Sequence, residues 1–282
     1  MAGAAKAILA GYDGSPDSEL ALDWAITEAQ ARLLDLIVCH AWQARYQGLS
    51  DGSPDDEAAR QHAERILAGG LRRARTAIEA DSVRPLLVNG SAARVLCDQS
   101  AGAAMVVVGS RGRGGLARLL TGSVSSQVAA YASGPVTVVR GRSRPVPGHQ
   151  PGPVVVGVDG SEACQAAVTF AFEEAALCEV PLHAICALAD AAGLLGGAHQ
   201  VEEDFEKALA GYEAAFPEVT VHRIISPGSP RRALLDATAQ AHAQLLVVGA
   251  RGREGMKGMA LGSVSHAVLN HAPCPVSVVH PR

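Results

Sequence analysis

The sequence has few aromatic residues, little net charge and no apolar segment long enough to cross a membrane. Its net charge is −4 at pH 7, which gives no indication that nucleic acid or an anionic membrane surface is its main partner. The apolar runs have the length of strands, far short of the roughly 20 residues of a membrane span. Residues 12–14, Tyr-Asp-Gly, interrupt the apolar N-terminus too early for a secretory signal. We therefore expect a cytoplasmic protein without nucleic-acid or membrane partners.

Cysteine and histidine show no metal-ligand spacing. The six cysteines form no C-x-x-C motif and are spread along the chain, at Cys39, Cys97, Cys164, Cys178, Cys186 and Cys274. The histidines are equally scattered, and the nearest approach to a ligand cluster, HAPC at residues 271–274, contains a proline that leads into a strand. We expect isolated, mostly buried thiols in a reducing compartment, and no metal site.

A long internal repeat organises the chain. The segment ILAGYDGSPDSELALDWAITEA at residues 8–29 matches VVVGVDGSEACQAAVTFAFEEA at residues 154–175. Residues 106–139, from VVVGSRGRGG to GPVTVV, match residues 245–279 in the same way. A stretch rich in proline and glycine separates the two copies and is typical of a linker. The sequence therefore predicts two domains, residues 1–141 and 153–282, joined by a linker at residues 142–152.

Within each copy, continuous apolar runs alternate with helical segments. In the first copy the pattern predicts strands at residues 7–11, 36–42, 83–89, 105–109 and 136–140, with helices at about 16–32, 57–79, 92–101 and 123–132. Ser15 is the expected N-cap of the first helix, with Pro16 just inside it. Such alternation is typical of a parallel sheet covered by helices on both faces. Ligands of these sheets bind at the carboxyl ends of the strands, where the glycine-rich loops of this chain lie.

The loop after the fourth strand contains GRGGLA at residues 112–117, which matches the dinucleotide pattern G-x-G-x-x-G/A. That motif requires an acidic residue about 20 positions later to hold the ribose. No Asp or Glu occurs between Asp98 and Asp159, and the second copy reads GREGMK at residues 252–257. No Gly-Lys-Ser/Thr follows any strand, which excludes a P-loop. The loop therefore predicts neither an NAD site nor a P-loop.

Both copies keep the spacing G-x-x-G, nine residues, then Gly-Ser. Glycine permits positive φ and lets backbone N–H groups approach an anion closely. The Gly-Ser pair stands at the start of a helix, where free N–H groups and the helix dipole favour phosphate, although a tight turn with an ordinary serine N-cap is the alternative. Serine hydroxyls add donors and the loop arginines add positive charge. The pattern predicts a phosphate-binding loop that uses Gly109, Arg111, Gly112, Arg113, Gly122, Ser123 and Ser125, and in the second copy Gly249, Arg251, Gly252, Arg253, Gly262, Ser263 and Ser265.

Two other positions lie at the same expected edge of each sheet. Asp13 and Asp159 follow the first strand of each copy in the motif G-x-D-G-S. Such a carboxylate can accept a hydrogen bond from a base or a ribose hydroxyl, and it can equally cap the helix that follows. Ala41 and Ala187 end the second strands and leave room for a flat ring.

These residues resemble the universal stress protein family, and the resemblance covers essentially all of the chain except the linker. The ATP-binding members of that family carry G-2x-G-9x-G-(S/T), which both copies have complete. The resemblance implies two Rossmann-like α/β domains (adenine nucleotide alpha hydrolase-like), each a five-stranded parallel sheet of order 3-2-1-4-5 with helices on both faces. It implies ATP, with or without Mg²⁺, between the first-strand turn, the end of the second strand and the glycine loop. It also implies association through fifth-strand edges, which gives an intrachain pseudo-dimer and a homodimer of chains.

Carried over residue by residue, the resemblance implies a set of nucleotide contacts in each domain. In the first domain these are Gly11, Asp13, Ala41, Gly109, Arg111, Gly112, Arg113, Gly114, Gly115, Gly122, Ser123, Val124 and Ser125. In the second they are Gly157, Asp159, Ala187, Gly249, Arg251, Gly252, Arg253, Gly255, Gly262, Ser263, Val264 and Ser265. Glu254 stands where the first loop has Gly114, and a carboxylate beside phosphates weakens binding unless it turns outward, meets Mg²⁺ or is offset by Lys257. Cys186 replaces His40, a change expected to matter little because that side chain need not face the site.

The leading interpretation is an ATP-binding stress or signalling protein, not an enzyme, in which bound ATP regulates conformation or assembly in a stress or dormancy-type response. No Ser-His-Asp spacing and no paired carboxylate stand beside the glycine loops. Three alternatives stay open at this point. They are a slow Mg²⁺-dependent ATPase in which Asp13 or Asp159 helps to hold the metal, a structural dimer without nucleotide, and a site for AMP or a cyclic nucleotide.

Overall fold

Continuous apolar strands give each half of the chain a sheet that is buried on both faces. Ile8, Leu9 and Ala10 are each at most 1% exposed, and Val106 and Val107 are fully buried. A sheet with one solvent-exposed face would expose alternate residues, so both faces of each sheet are covered.

The structure is a computed structural model that describes residues 7–43, 54–112, 121–141, 151–188, 198–252 and 260–281. The chain divides into two units, Met1–Arg140 and Gly141–Arg282.

The first unit follows the predicted alternation of strands and helices. Its elements are β1 (Ala7–Gly11), α1 (Pro16–Arg32), β2 (Leu36–Trp42), α2 (Pro54–Arg75), β3 (Val83–Asn89), α3 (Ala92–Ser100), β4 (Ala103–Gly109), α4 (Ser123–Tyr131) and β5 (Val136–Val139), with a 3₁₀ turn at Ala80–Ser82.

The second unit repeats this order. Its elements are β6 (Val154–Gly157), α5 (Glu162–Leu177), β7 (Leu182–Leu188), α6 (Ala198–Ala215), β8 (Val221–Pro227), α7 (Pro230–Gln240), β9 (Leu245–Gly249), α8 (Ser263–His271) and β10 (Val276–Val279).

Each unit has the sheet topology that the family resemblance implied. The strand order is β3-β2-β1-β4-β5 in the first unit, and every neighbouring pair is parallel. The second unit repeats it as β8-β7-β6-β9-β10. The predicted fold class and the order 3-2-1-4-5 are therefore confirmed. Because the chain leaves β1 and β4 toward opposite edges of the sheet, their carboxyl ends open the crevice in which ligands of such folds bind.

Capping explains why the first helix of each unit begins where it does. The Ser15 hydroxyl oxygen accepts the N–H of Ser18 at 3.3 Å, and Pro16 occupies the first turn of α1. Ser161 caps α5 in the same way, accepting the N–H of Cys164 at 3.1 Å. The bounds predicted for α1 are confirmed.

Helix α2 begins and ends earlier than the sequence predicted. It spans Pro54–Arg75 instead of residues 57–79. Beyond Arg75, the N–H groups of Thr76 and Ala77 donate to carbonyls three residues back, and the chain tightens toward the 3₁₀ turn Ala80–Ser82. Hydrophobic periodicity continues through such a turn, so it does not reveal where an α-helix stops.

The six cysteines are all free thiols. Cys39, Cys164, Cys186 and Cys274 are buried, and the other two are partly exposed. Burial raises the pKa of the Cys39 thiol to about 12, so the side chain behaves as a small apolar group at neutral pH. No helix within the described ranges is long and apolar enough to span a membrane.

One polar side chain in the second unit occupies a position that is apolar in the first. His183 lies in β7 at the place that Ile37 holds in β2. Its Nδ1 atom is buried and has no hydrogen-bond partner among the described residues. Its ring meets that of His222 edge to face, with the centroids 5.0 Å apart. Burial, and secondarily His222, lower the pKa of His183 from its ordinary value.

We expect His183→Ile to raise the stability of the protein, most strongly at acid pH. A histidine whose pKa is lower in the folded chain binds its proton more readily when unfolded, so stability is lost as the pH falls through the unfolded value of 6.5. Urea unfolding at about pH 7.5 and about pH 5.5 checks this, and the variant should lose less stability between the two than the parent protein. An unchanged difference between the two pH values would show that His183 is not responsible.

Candidate functional site

The turn after the first strand has the same geometry in both units. The N–H of Ser15 donates to Asp13 Oδ1 at 2.9 Å, and the N–H of Ser161 donates to Asp159 Oδ1 at the same distance. The intervening Gly14 has φ 72°, in the left-handed region that glycine adopts without strain. Since the serine itself caps the helix, the aspartate braces the turn rather than capping the first helical residues.

The second carboxylate oxygen of each aspartate lies against the glycine loop. A Cβ placed on Gly112 would stand 2.7 Å from Asp13 Oδ2. A Cβ on Gly252 would stand 2.6 Å from Asp159 Oδ2. Only glycine permits this approach without displacing the carboxylate, so the first-strand turn and the loop after the fourth strand meet in both units. The structure therefore brings together two features that are about 100 residues apart in each unit.

Three of the glycines predicted as nucleotide contacts serve the packing of helices. A Cβ on Gly109 would lie 2.6 Å from the backbone carbonyl of Asp17, so the glycine lets α1 approach the end of β4. A Cβ on Gly11 would lie 3.0 Å from the Leu96 side chain of α3. In the second unit, a Cβ on Gly157 would lie 3.2 Å from Leu234, the matching leucine of α7. A nucleotide role for these glycines stays a prediction.

A backbone hydrogen bond closes the glycine loop of each unit at its base. The N–H of Gly122 donates to the Ser110 carbonyl at 2.7 Å, and the N–H of Gly262 donates to the Ala250 carbonyl at 2.8 Å. Gly122 and Gly262 have φ −70° and −69°, so positive φ is not the reason for glycine here. A Cβ on Gly122 would stand 3.3 Å from the Ser110 carbonyl oxygen, so the close approach of this carbonyl favours glycine at position 122.

Helices α4 and α8 begin without a side-chain cap. Their N-cap positions are glycines, which have no side chain that could cap the helix. Helices α1 and α5 at the same sheets carry serine caps. The first-turn N–H groups of α4 and α8, on Ser123, Val124 and their equivalents, therefore stand at a positive dipole end next to the glycine loop.

The two serines at the start of α4 differ in what they contact. Ser125 is 2% exposed, and its hydroxyl donates to the carbonyls of Ser110 and Gly122 at 3.1 and 3.0 Å. Ser265 donates to the carbonyl of Gly249 at 2.6 Å. These hydroxyls fasten the helix to the strand, so their hydrogens are engaged inside the protein. Ser123 and its counterpart Ser263 are exposed at the first helical position.

An aspartate that the sequence did not single out lies beside the first loop. Asp17 Oδ2 accepts the Ser110 hydroxyl at 2.7 Å and the Arg111 Nε–H at 3.2 Å. The second unit has alanine at the two matching positions, 163 and 250, and keeps the arginine as Arg251. Spacing alone could not reveal this pair, because it depends on how closely α1 approaches β4.

The residues at the ends of β2 and β7 complete the crevice. Ala41 and Ala187 lie near these ends and are half-buried. His40 is 7% exposed, and its Nδ1–H donates to the carbonyl of Tyr12 at 2.7 Å in the tautomer that places hydrogen on Nδ1. His40 therefore supports the turn that leads to Asp13, a contact that the sequence did not predict, and the second unit has Cys186 at the matching position. Outside the described residues lie Arg113, Gly114, Gly115, Arg253, Glu254, Gly255 and Lys257.

Comparison with known proteins agrees with this architecture. The sequence model of the universal stress protein family matches residues 4–140 and again residues 152–280. The chain belongs to the universal stress protein family. It is similar to universal stress protein Rv2005c of Mycobacterium tuberculosis, at 38% identity over 96% of both chains. A universal stress protein of Mycolicibacterium smegmatis is 36% identical and is matched over 98% of this chain and 97% of its own.

Solved structures show the same fold at lower identity. A universal stress protein from Archaeoglobus fulgidus matches with a TM-score of 0.72 and 22% identity, covering 98% of this chain and 96% of its own. A putative universal stress protein from Pseudomonas aeruginosa matches with a TM-score of 0.70 and 19% identity, covering 99% and 94%. The chain therefore spans nearly the full length of the relatives and structures that it resembles.

We expect Gly109→Ala to destabilise the protein by about 1–3 kcal/mol, because the added methyl group meets the backbone of α1 and cannot rotate away. Gly211 is the matched control, since it is exposed on α6 and nothing lies within 4 Å of a Cβ placed there. Gly211→Ala should stabilise by about 0.5–1 kcal/mol through helix propensity. Urea unfolding of both variants measures the difference, and equal effects would contradict a packing role for Gly109.

Proposed function

We propose that the protein binds one ATP in each unit, and that bound ATP regulates its conformation or assembly. The observation that carries this proposal is the repeated contact between the first-strand aspartate and the glycine of the loop, beside an uncapped helix N-terminus. Within one unit such a geometry also suits a structural turn. Its recurrence at the same edge of the second sheet, with the full glycine spacing, favours a ligand that both units share.

The phosphates are assigned to the start of α4 and α8. Free N–H groups of the first helical turn and the positive end of the dipole attract an anion there. The glycine loop supplies a backbone surface that a Cβ would obstruct, and Arg111 or Arg251 adds positive charge. These features fit a polyphosphate, and the presence of arginine in both loops favours several phosphates over one.

The remainder of the nucleotide is assigned to the neighbouring strand ends. Asp13 and Asp159 offer a carboxylate oxygen to a ribose hydroxyl or a base. The same carboxylates would help to hold a bound Mg²⁺. Ala41 and Ala187 leave space for the adenine ring. AMP and cyclic nucleotides share the ribose and base, so the phosphate count distinguishes them.

We infer a binding role rather than a catalytic one. Asp13 accepts a hydrogen bond that stabilises the turn into α1, and His40 is buried and supports the same turn, so both residues have a structural role in this arrangement. The same proposal includes association through fifth-strand edges, a homodimer of chains and a role in stress response, as the family resemblance implies.

The test is to denature freshly purified protein and to identify and count the released nucleotide by chromatography. We expect two ATP per chain, falling to one in Gly112→Val and in Gly252→Val and to none in the double variant, because each side chain collides with the facing aspartate. Gly211→Ala is the control and should retain both.

Other results have distinct meanings. Release of AMP or a cyclic nucleotide would replace ATP as the ligand. One ATP in the parent protein would indicate that one site binds weakly, and the Gly112→Val and Gly252→Val variants would show which one. If it is the second site, Glu254→Gly should restore two. No released nucleotide, together with no ATP binding in calorimetry, would overturn the proposal in favour of a structural role.

A further inference from the structure

The two candidate sites share the turn and loop contacts described above, and they differ in charge at a cluster of side chains beside the loop. In the first unit, Ser110, Arg111 and Asp17 form a connected group in which one carboxylate oxygen accepts from both partners. In the second unit the residues matching Asp17 and Ser110 are alanines, while the arginine is kept as Arg251. The difference therefore removes the carboxylate and its hydroxyl partner together and leaves the cation.

The carboxylate of Asp17 is held in place independently of Arg111. It lies in the first turn of α1, where the helix dipole favours negative charge, and the Ser110 hydroxyl donates to it at 2.7 Å. Its side chain is 16% exposed, whereas that of Arg111 is 59% exposed. Arg111 is thus the more exposed member of the pair, and the helix and Ser110 hold Asp17 beside the loop without it.

A fixed negative charge at this place acts against phosphate in two ways. It repels an anion bound at the adjoining loop, and it competes for the Arg111 guanidinium that would otherwise meet the anion. The exposed pair itself is weak, so a polyphosphate can displace it, but with reduced affinity. The second unit has alanine at position 163, which matches Asp17, so the same competition for Arg251 does not arise from that position.

We propose that Asp17 lowers the affinity of the first site for nucleotide phosphates, so that the two sites of one chain fill at different ATP concentrations. This inference rests on the proposed function of both loops. Asp17 is an affinity-determining residue that acts on Arg111 and on the bound anion through its charge. The second site has alanine at the position that matches Asp17 and therefore has the higher affinity.

The test measures ATP affinity of one site at a time by calorimetry after removal of bound nucleotide. In a Gly252→Val background, which leaves the first site, Asp17→Asn should tighten ATP binding about three- to tenfold at low salt. The gain should shrink as salt is raised, because exposed charges are screened. In a Gly112→Val background, which leaves the second site, Asp17→Asn should change nothing.

The reciprocal graft tests the same charge in the other unit. In the Gly112→Val background, Ala163→Asp combined with Ala250→Ser should weaken ATP binding about three- to tenfold. Ala163→Asn with Ala250→Ser is the uncharged control and should have little effect. Tighter ATP binding in Asp17→Asn together with weaker binding in the graft would support the inference. A merely structural effect would not change ATP affinity in opposite directions in the two experiments.

Three results would overturn it. Equal affinity of the first site with and without the Asp17 charge would show that the pair has no influence on binding. Weaker binding of Asp17→Asn in Mg²⁺, but not in a chelator, would make Asp17 a metal ligand instead. Absence of ATP binding in the parent protein would be a failure of the proposed function itself, which the two preceding results are not.

Discussion

The contact between the first-strand aspartate and the glycine loop is the constraint on which each site depends. One carboxylate oxygen braces the turn into the first helix, and the other lies where a Cβ on Gly112 or Gly252 would collide with it. The glycine therefore permits two segments from opposite sides of the switch point to share one edge of the sheet. The hydrogen bond from Gly122 to Ser110 then brings the start of α4 to the same place.

Duplication of this arrangement has not made the two units equal. In the first unit, His40 supports the turn after β1 through its hydrogen bond to Tyr12. Asp17 accepts hydrogen bonds from both Ser110 and the loop arginine Arg111. The second unit has alanine or cysteine at the matching places, and in β7 a half-buried histidine, His183, where the first has isoleucine. These changes leave the sheet order intact, because the backbone topology is fixed by buried strands that both units retain. The replacement of Asp17 by alanine alters the charge beside the loop, so two sites of the same fold differ in their electrostatics.

Much of the fold was predictable from sequence because the strands are continuous apolar runs and the repeat shows every element twice. Ser15 and Pro16 located the start of α1, and its predicted bounds agree with the structure. The end of α2 was not predictable, since periodicity does not distinguish an α-helix from the tighter turns after it. The roles of Asp17 and Ser125 were also hidden, because each depends on a partner about 15 or more residues away that only helix packing brings near.

The central claim, that the uncapped starts of α4 and α8 receive the phosphates of ATP, is tested most directly by amide NMR. Titration of ¹⁵N-labelled protein with ATP should shift the backbone N–H signals of Ser123, Val124, Ser263 and Val264 strongly, because their N–H groups would donate to the phosphates. Adenosine without phosphates should shift them far less. Binding of ATP that leaves these four amides unchanged would contradict the account and place the nucleotide elsewhere.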